Sequence, residues 1–316
     1  MFLEVSDISK KNEEEFVLRE ITFTQKQFQK IVVVGETGFG KSTLLKIIAG
    51  LVQSDSGQVI LEGEKIRGPE EKLVPGHSSI AYLSQHFELP HSLRVEQVLT
   101  YASILDDEEA NELYRICQID HLLKRRTDQL SGGERQRIAL CRLLITSPVL
   151  LLLDEPYSHL DMVHKNTLKK VINDIVKKIK ITCILVSHDP FDTLPWANHI
   201  IVLKDGRMIQ QSTPEKIYFK PTDEYVAGLF GKYNLLSKEQ VELLTSGVSK
   251  KNRIVRPEQI KLSSKKGKSN KGIVTKVNFF GGFYELEVNW NTTQLTIRSS
   301  DSYKKGDEVY LSLNLT

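Results

Sequence analysis

The sequence has few cysteines and no long apolar run. Its three cysteines, Cys117, Cys141 and Cys183, are far apart and lie in otherwise apolar segments. That distribution predicts buried, reduced thiols rather than a disulfide or a metal site. The longest apolar runs, at 31–34 and 149–153, are much shorter than the roughly 20 residues that a membrane-spanning helix needs. The sequence therefore predicts that this chain does not cross a bilayer.

The chain also lacks an excess of charge of one sign. Lysine and arginine total 43 against 40 for aspartate and glutamate, a net charge of +3, which provides no strong attraction to nucleic acid or anionic lipid. The first residues include Glu4 and Asp7, where a secretory signal would have a basic region before an apolar stretch. We therefore expect a cytoplasmic location and no nucleic-acid partner.

The composition is that of an ordinary globular protein, with 40% hydrophobic and 26% charged residues. Its 316 residues suggest two domains at about 150 residues per domain. Alternation of apolar and polar residues at 2–5 and 17–23 predicts half-exposed antiparallel strands, whereas apolar runs at 31–34, 149–153 and 182–186 predict buried strands. Because helical patterns separate the buried strands, this part of the chain is predicted to be an α/β domain with a parallel sheet.

The pattern changes after about residue 236. A short helix is predicted at 237–245, and a stretch rich in lysine, serine and glycine follows it. The sequence Phe-Phe-Gly-Gly-Phe-Tyr at 279–284 has two glycines between aromatic-rich arms, which predicts a tight hairpin turn. We therefore expect a small all-β barrel here. Its predicted strands lie at 254–262, 272–288, 293–298 and 308–313.

A glycine-rich loop is the strongest motif of the chain. GETGFGKST at 35–43 fits Gly-x-x-x-x-Gly-Lys-Ser/Thr and lies between a predicted strand and a predicted helix, as this motif requires. Its backbone N–H groups can point at phosphate oxygens beside a helix N-terminus. Lys41 is expected to reach the β- and γ-phosphates, Ser42 to bind Mg²⁺ and Thr43 to bind the α-phosphate. A chance glycine turn is the alternative, which the flanking strand and helix disfavour. The candidate phosphate-binding residues are Gly35, Glu36, Thr37, Gly38, Phe39, Gly40, Lys41, Ser42 and Thr43.

Two carboxylates follow the apolar strand in VLLLLDEP at 149–156. Ligands bind at the C-terminal ends of strands in open α/β sheets. Asp154 is expected to hold Mg²⁺ through water, and Glu155 to polarise an attacking water as general base. An N-cap for the following helix is the alternative role of these residues.

A second helix start with phosphate-binding chemistry is LSGGERQR at 130–137. The hydroxyl of Ser131 and the N–H groups of Gly132 and Gly133 can bind an anion at a helix N-terminus. The alternative is that Ser131 is an ordinary N-cap.

Together, the glycine-rich loop, the LSGGERQR signature and the Asp-Glu-Pro strand end resemble the ATP-binding cassette (ABC) ATPases. The resemblance implies that Gln85 in YLSQHFELP contacts Mg²⁺ and the attacking water, and that His188 in LVSHD contacts the γ-phosphate. It also implies that SHLD at 158–161 is a loop through which two subunits communicate, with Asp161 at the nucleotide and with His159 where a small residue is more usual. The implied catalytic residues are Lys41, Gln85, Glu155 and His188, and the implied Mg²⁺ ligands are Ser42, Gln85 and Asp154.

The resemblance extends over nearly the whole chain. It implies an α/β P-loop NTPase cassette at 1–235, made of a mixed sheet, an N-terminal antiparallel β part and a helical subdomain at about 86–148. RPEQIKL at 256–262 and the β pattern after it are similar to the OB-like TOBE domain of importer ATPases for iron, polyamines, sulfate or molybdate. Residues 236–316 are therefore expected to form this second domain.

The function that the resemblance implies is hydrolysis of ATP, with Mg²⁺, by a subunit of an importer. Each nucleotide would lie between the phosphate loop of one copy and the signature of another copy in a homodimer. Separate membrane permease subunits and a solute-binding protein would complete the transporter at the inner face of the cell membrane. The segment from Gln85 to about Tyr101 is the expected docking groove for the permease. A lysine-rich stretch, expected to be a solvated loop, contains Lys265, Lys266, Lys268 and Lys271.

Other cassette ATPases share these motifs. DNA-repair types insert long coiled coils between loop and signature, and this chain has no such heptad pattern. Translation types have two cassettes in one chain, whereas here there is one. An exporter ATPase is the alternative that stays open, and the importer-like C-terminal part is the main argument against it.

Members of this family usually stack the adenine on an aromatic residue. When the sequence is aligned through LREITF at 18–23, Asn12 occupies the position of that residue. The nearest aromatic residue is Phe16. Because it alternates with Leu18, Phe16 is expected to be a core residue of its strand.

Without a stacking ring, ATP and GTP are expected to bind with similar affinity, and Asn12→Tyr is expected to tighten ATP binding. Equilibrium titration of both chains with fluorescent ATP and GTP analogues tests this expectation. A marked preference of the unmodified chain for ATP would show that another residue recognises the base.

Overall fold

The chain forms two compact units, Met1–Pro214 and Glu215–Thr316. Among the described residues, no helix combines the length and the apolar character needed to cross a membrane. His159, Lys265, Lys266 and Lys268 lie outside the described residues. The computed structural model describes residues 1–13, 15–85, 88–158, 160–245, 252–263 and 270–314.

The described part of the first unit combines two sheets with helices. Its strands are β1 (Leu3–Asn12), β2 (Glu15–Gln25), β3 (Lys30–Val34), β4 (Ser56–Leu61), β5 (Glu64–Lys65), β6 (Ile80–Leu83), β7 (Leu150–Asp154), β8 (Thr182–Val186), β9 (His199–Lys204) and β10 (Arg207–Ser212). Its helices are α1 (Lys41–Ile48), α2 (Val95–Thr100), α3 (Asp107–Ile116), α4 (Gly132–Leu144), α5 (Met162–Lys178) and α6 (Pro190–Thr193). Short 3₁₀ turns lie at Asp120–Leu122 and Thr127–Gln129.

The larger sheet has six strands in the order β10-β9-β3-β8-β7-β6. Neighbouring strands from β9 to β6 are parallel, and β10 pairs with β9 in the antiparallel direction. Every residue of β7 and β8 is buried, because helices connect parallel strands and cover both faces of their sheet. The predicted buried strands at 31–34, 149–153 and 182–186 are thus confirmed, together with the mixed α/β sheet.

The second sheet is antiparallel, in the order β2-β1-β4-β5, which confirms the predicted N-terminal antiparallel part. Its apolar face shares one core with α1: Leu3 and Ile8 of β1 pack in the same cluster as Leu44 and Ile48. This packing holds α1, and with it the loop before α1, against both sheets.

The region between β6 and β7 is mainly helical, as predicted for about 86–148. Asp106 caps α3, accepting hydrogen bonds from the backbone N–H groups of Glu108 and Glu109. Cys117 and Cys141 are buried here and Cys183 is buried in β8, and all three are free thiols. The cysteine prediction is therefore confirmed.

In the described part of the second unit, five antiparallel strands form one sheet in the order β13-β17-β14-β15-β16, which agrees with the predicted OB-like domain. Phe279 pairs with Tyr284 across the predicted hairpin, and Gly281 has the positive φ of 79° that a tight turn requires there. The strands are β11 (Asn234–Leu236), β12 (Arg253–Val255), β13 (Ile260–Ser263), β14 (Lys271–Phe279), β15 (Tyr284–Trp290), β16 (Thr293–Ser299) and β17 (Glu308–Leu313). The helices are α7 (Pro214–Phe219), α8 (Glu224–Leu229) and α9 (Lys238–Thr245), with a 3₁₀ turn at Pro257–Gln259.

The compact units divide after Pro214, earlier than the predicted boundary between 235 and 236. The buried side chain of Arg256 explains why α7 and α8 belong to the second unit. Its Nε donates to the Tyr218 carbonyl at 2.8 Å, and its Nη1 donates to the carbonyls of Ala227 and Lys232 at 2.9 and 3.2 Å. One guanidinium therefore satisfies backbone acceptors along both short helices, a contact between distant segments that local sequence patterns do not show.

Replacing Arg256 with methionine is expected to lower the free energy of unfolding of the second unit by about 2–4 kcal/mol, because several buried carbonyls lose their donor. A Trp196→Phe background leaves Trp290, which is buried in the second unit, as the fluorescent reporter for urea denaturation.

Arg253→Met is the matched control, because Arg253 is exposed and its loss is expected to change stability by less than about 0.5 kcal/mol. Equal effects of the two substitutions would contradict the role assigned to Arg256.

Candidate functional site

The glycine-rich loop at 35–40 leaves β3 and leads directly into α1. Gly35 and Gly40 have φ of +152° and +84°, a region of backbone conformation that favours glycine. A Cβ atom on Gly35 would lie 2.4 Å from the Leu203 carbonyl oxygen, and one on Gly40 would lie 2.4 Å from that of Val17. Both the conformation and the close neighbours therefore require glycine, and the loop curls at the N-terminus of α1 as predicted.

Lys41, the first residue of α1, points its ammonium group back into this loop. Its Nζ donates to the carbonyl oxygens of Gly35 and Glu36, each at 2.8 Å. Burial lowers the pKa of Lys41, while the nearby carboxylates of Glu155 and Asp154 oppose that shift. The loop thus contains a fixed cation beside the N–H groups of a helix start, which is a binding site for anions such as phosphate.

Asp154 ends β7 with its carboxylate buried between two hydroxyl groups. Ser42 Oγ donates to one carboxylate oxygen and Tyr82 Oη to the other, both at 2.9 Å. The sequence predicts Ser42 and Asp154 as Mg²⁺ ligands, whereas no local pattern indicates the contact with Tyr82. Hydroxyl and carboxylate oxygens are the ligand types that Mg²⁺ prefers, so this pair fits the ion, and the exposed amide of Gln85 lines the cavity next to it.

Glu155 and His188 form a direct pair. Glu155 has φ of +49°, and its N–H donates to the Val186 carbonyl at 3.1 Å, which turns its side chain toward the end of β8. His188 Nδ1 lies 2.7 Å from one oxygen of the Glu155 carboxylate and 3.0 Å from the other. The predicted general base and the predicted γ-phosphate contact are therefore neighbours.

One cavity of about 480 Å³ brings the candidate catalytic residues together. All four of them line it, although they come from the first turn of α1 and from segments that follow three different strands. Its lining residues are Asn12, Val17, Thr37, Gly38, Gly40, Lys41, Ser42, Thr43, Gln85, Glu155, Ser158 and His188.

The signature residues lie elsewhere in the first unit. Ser131 caps α4, and its hydroxyl accepts from the Glu134 N–H at 3.3 Å, so the N-cap alternative is correct as a local role. The first N–H groups of a helix have no intrahelical acceptor, which leaves Gly132 and Gly133 with anion-binding geometry. Gly132 lines a different cavity, of about 430 Å³. Asp161 likewise lies outside the 480 Å³ cavity and caps α5.

The structure agrees with the sequence prediction for Asn12 but not with that for Phe16. Asn12 lines the 480 Å³ cavity. The expectation that Phe16 is a core residue is wrong: its side chain is 39% exposed, and the cationic groups of Lys11 and Arg19 lie 4.4 and 5.1 Å from its ring centroid. A bulge explains the error, because Lys10 pairs with Leu18 whereas Lys11 pairs with Phe16, so the alternation of faces is interrupted at Val17.

Two further positioning contacts were not found from the sequence. Gln136 Nε2 on α4 donates to the carbonyl of Pro156, immediately after Glu155. Lys165 Nζ on α5 contacts Asp189 at 2.6 Å and the buried Asp192 at 3.0 Å, which anchors the segment after His188. Lys165 is one of several lysines on α5, and its position in the sequence does not distinguish it from the others. Its contact with Asp189, 24 residues away, could therefore not be predicted from local sequence.

Comparisons with known proteins support the motifs. Residues 18–158 match the family model described as ABC transporter, and residues 254–315 match the one described as TOBE domain. The two matched segments contain the glycine-rich loop, the signature and most of the second unit's sheet. These matches confirm the predicted combination of an ABC transporter ATPase with a TOBE domain.

Similar curated proteins match between 74% of this chain and the whole of it. The spermidine/putrescine import ATP-binding protein PotA of Clostridioides difficile is 31% identical over 98% of this chain and 95% of its own length. The Fe(3+) ions import ATP-binding protein FbpC of Photobacterium profundum is 27% identical, and the match covers 100% of this chain and 96% of the relative. The molybdate/tungstate import ATP-binding protein WtpC of Pyrococcus horikoshii is 34% identical, and the match covers 74% of this chain and 68% of the relative.

A solved structure agrees with the fold. The structure of cbiO1 from Clostridium perfringens, described as part of the ABC transporter complex cbiONQ, has a TM-score of 0.61 and 25% sequence identity. The match covers 68% of this chain and 90% of the cbiO1 chain.

Removing only the hydroxyl of Tyr82, by Tyr82→Phe, is expected to raise the Mg²⁺ concentration for half-maximal ATP hydrolysis by about tenfold. The physical reason is that a hydrogen bond to a charged, buried carboxylate contributes about 1.5–3 kcal/mol. Titration of Mg²⁺ at saturating ATP measures the change. Tyr114→Phe is the control, since Tyr114 is a buried tyrosine on α3, outside this cavity. An unchanged Mg²⁺ requirement in Tyr82→Phe would show that Tyr82 does not orient Asp154.

Proposed function

Because this chain belongs to the ABC transporter family, we propose that it is the ATP-hydrolysing subunit of an importer and that it binds ATP with Mg²⁺ in the 480 Å³ cavity. The observation that carries the proposal is the convergence of Lys41, Gln85, Glu155 and His188 on that cavity. The family relationship makes the chain an ATP hydrolase, and the geometry supports the role that we propose for each residue.

Binding of the triphosphate uses the loop before α1. Lys41 Nζ, now bonded to two loop carbonyls, exchanges them for the β- and γ-phosphate oxygens, while Thr43 is placed for the α-phosphate. Ser42 and Asp154, with Gln85, would hold Mg²⁺, which neutralises charge that develops on the phosphates when it is bound.

Hydrolysis needs a water in line with the γ-phosphate and a group that takes its proton. Glu155 is placed to accept that proton, and its contact with His188 keeps the carboxylate aimed into the cavity. Gln85 is placed to orient the water by its amide. His188 and Lys41 provide donors for the negative oxygens of the γ-phosphate.

The separate position of the signature favours a homodimer. Ser131, Gly132 and Gly133 present helix N–H groups outside the phosphate-loop cavity, so their anion-binding chemistry is available to the nucleotide of a second copy. Asp161 would face the same nucleotide. ATP would then close the dimer, and hydrolysis would reopen it.

Import is the direction that the curated relatives favour, because their names describe import of polyamines, ferric ions and molybdate or tungstate. We propose that separate membrane subunits dock near the groove predicted between Gln85 and Tyr101. Glu88, Leu89 and His91 of this segment line the 430 Å³ cavity beside Gly132. A solute-binding protein and a position at the inner face of the membrane complete the proposal.

The direct test of the catalytic assignment is Glu155→Gln. ATP binding is expected to be retained while turnover falls by about 10²- to 10⁴-fold, the range for a positioned general base. Steady-state hydrolysis and titration with a fluorescent ATP analogue measure the two effects. Glu112→Gln, at an exposed glutamate of α3, controls for the loss of one charge. Turnover at the level of the unmodified chain would disprove the role of Glu155.

The shared site has its own test. A Ser131→Arg chain and a Lys41→Ala chain should each be nearly inactive, whereas their heterodimer, isolated through two different affinity tags, should regain one complete site and about half of the activity. The reason is that one chain still contributes Lys41 and the other still contributes Ser131. Lack of recovery with two folded chains would argue against the homodimer.

A further inference from the structure

His164, a residue of α5 outside every motif, connects two of the segments that are proposed to act on the partner's nucleotide. Its backbone N–H donates to one carboxylate oxygen of Asp161 at 2.9 Å, and its ring Nδ1 lies 2.7 Å from the other. Both oxygens of this carboxylate are therefore held by one residue. Asp161 caps α5, so the orientation of the cap depends on the imidazole.

The other side of the imidazole faces the signature. A Cβ atom on the buried Gly133 would lie 2.7 Å from His164 Cδ2 and 3.2 Å from its Cγ. The ring therefore packs directly on the backbone of the first turn of α4, in the space that any other residue at 133 would occupy. The imidazole thus contacts the Asp161 carboxylate on one side and the first turn of α4 on the other.

We propose that His164 is a positioning residue that holds Asp161 and the signature turn at 131–133 in one fixed arrangement, so that both meet the nucleotide of the partner subunit together. This inference rests on the proposed shared-site dimer. It makes a specific claim beyond that dimer: His164 acts on the site of the partner and not on the nucleotide bound to its own phosphate loop.

His164→Leu removes the Nδ1 donor but retains an apolar group beside Gly133. The homodimer of this variant is expected to hydrolyse ATP about threefold to tenfold more slowly, a size typical of one partly exposed charged hydrogen bond. Asn166→Leu, at an exposed position of the same helix, is the matched control and is expected to match the unmodified chain.

Placement of the substitution in heterodimers tests the direction of its effect. When His164→Leu is on one chain and Lys41→Ala on the other, the remaining complete site joins an unaltered phosphate loop to an unaltered signature. Its rate should equal that of the heterodimer between unmodified and Lys41→Ala chains. When both substitutions are on the same chain, opposite an unmodified one, the remaining site uses the altered signature, and its rate should fall about threefold to tenfold.

Equal rates in the two placements, or a larger loss in the first, would overturn the proposal for His164. His164→Ala, which adds no bulk beside Gly133, is tested in the same two placements if the leucine variant does not fold. Failure of the Ser131→Arg and Lys41→Ala heterodimer to regain activity is a different result, because it would overturn the shared-site dimer itself.

Discussion

Parallel alignment of β3, β8, β7 and β6 places four strand ends at one edge of the first unit's sheet. The residues after these ends are the phosphate loop, His188, Asp154 with Glu155, and Gln85. Their convergence is a consequence of strand direction, because adjacent parallel strands deliver their C-terminal residues to the same place. The antiparallel sheet and α1 share one apolar core, so burial of apolar residues stabilises the edge at which the candidate site lies.

The two carboxylates would repel the triphosphate that is proposed to bind here, so each needs a group that fixes its orientation. Asp154 is held by two hydroxyl donors, and Glu155 is paired with His188. Lys41 supplies the positive charge from inside the loop, although burial lowers its pKa. Each carboxylate thus has a partner that orients it, which is the preorganisation that electrostatic stabilisation of a transition state needs.

Three segments that are proposed to face a nucleotide contain the start of a helix. The first turns of α1, α4 and α5 all present backbone N–H groups, and the caps Ser131 and Asp161 are tied to their helices by side-chain hydrogen bonds. The second unit has its own core around Trp290 and a buried Arg256 that gathers backbone carbonyls of α7 and α8.

The sequence by itself determined the elements whose conformation depends on near neighbours: the glycine loop, the capped helix at Ser131, the buried strands and the hairpin at 279–284. It also predicted that Glu155 and His188 follow the ends of two strands, and the structure brings these two side chains together. Only the tertiary structure decided the exposure of Phe16, which a β-bulge turns outward, and the partnership of Tyr82 with a carboxylate 72 residues away. Such contacts depend on strand pairing and close packing between distant segments, and periodicity within one segment does not encode them.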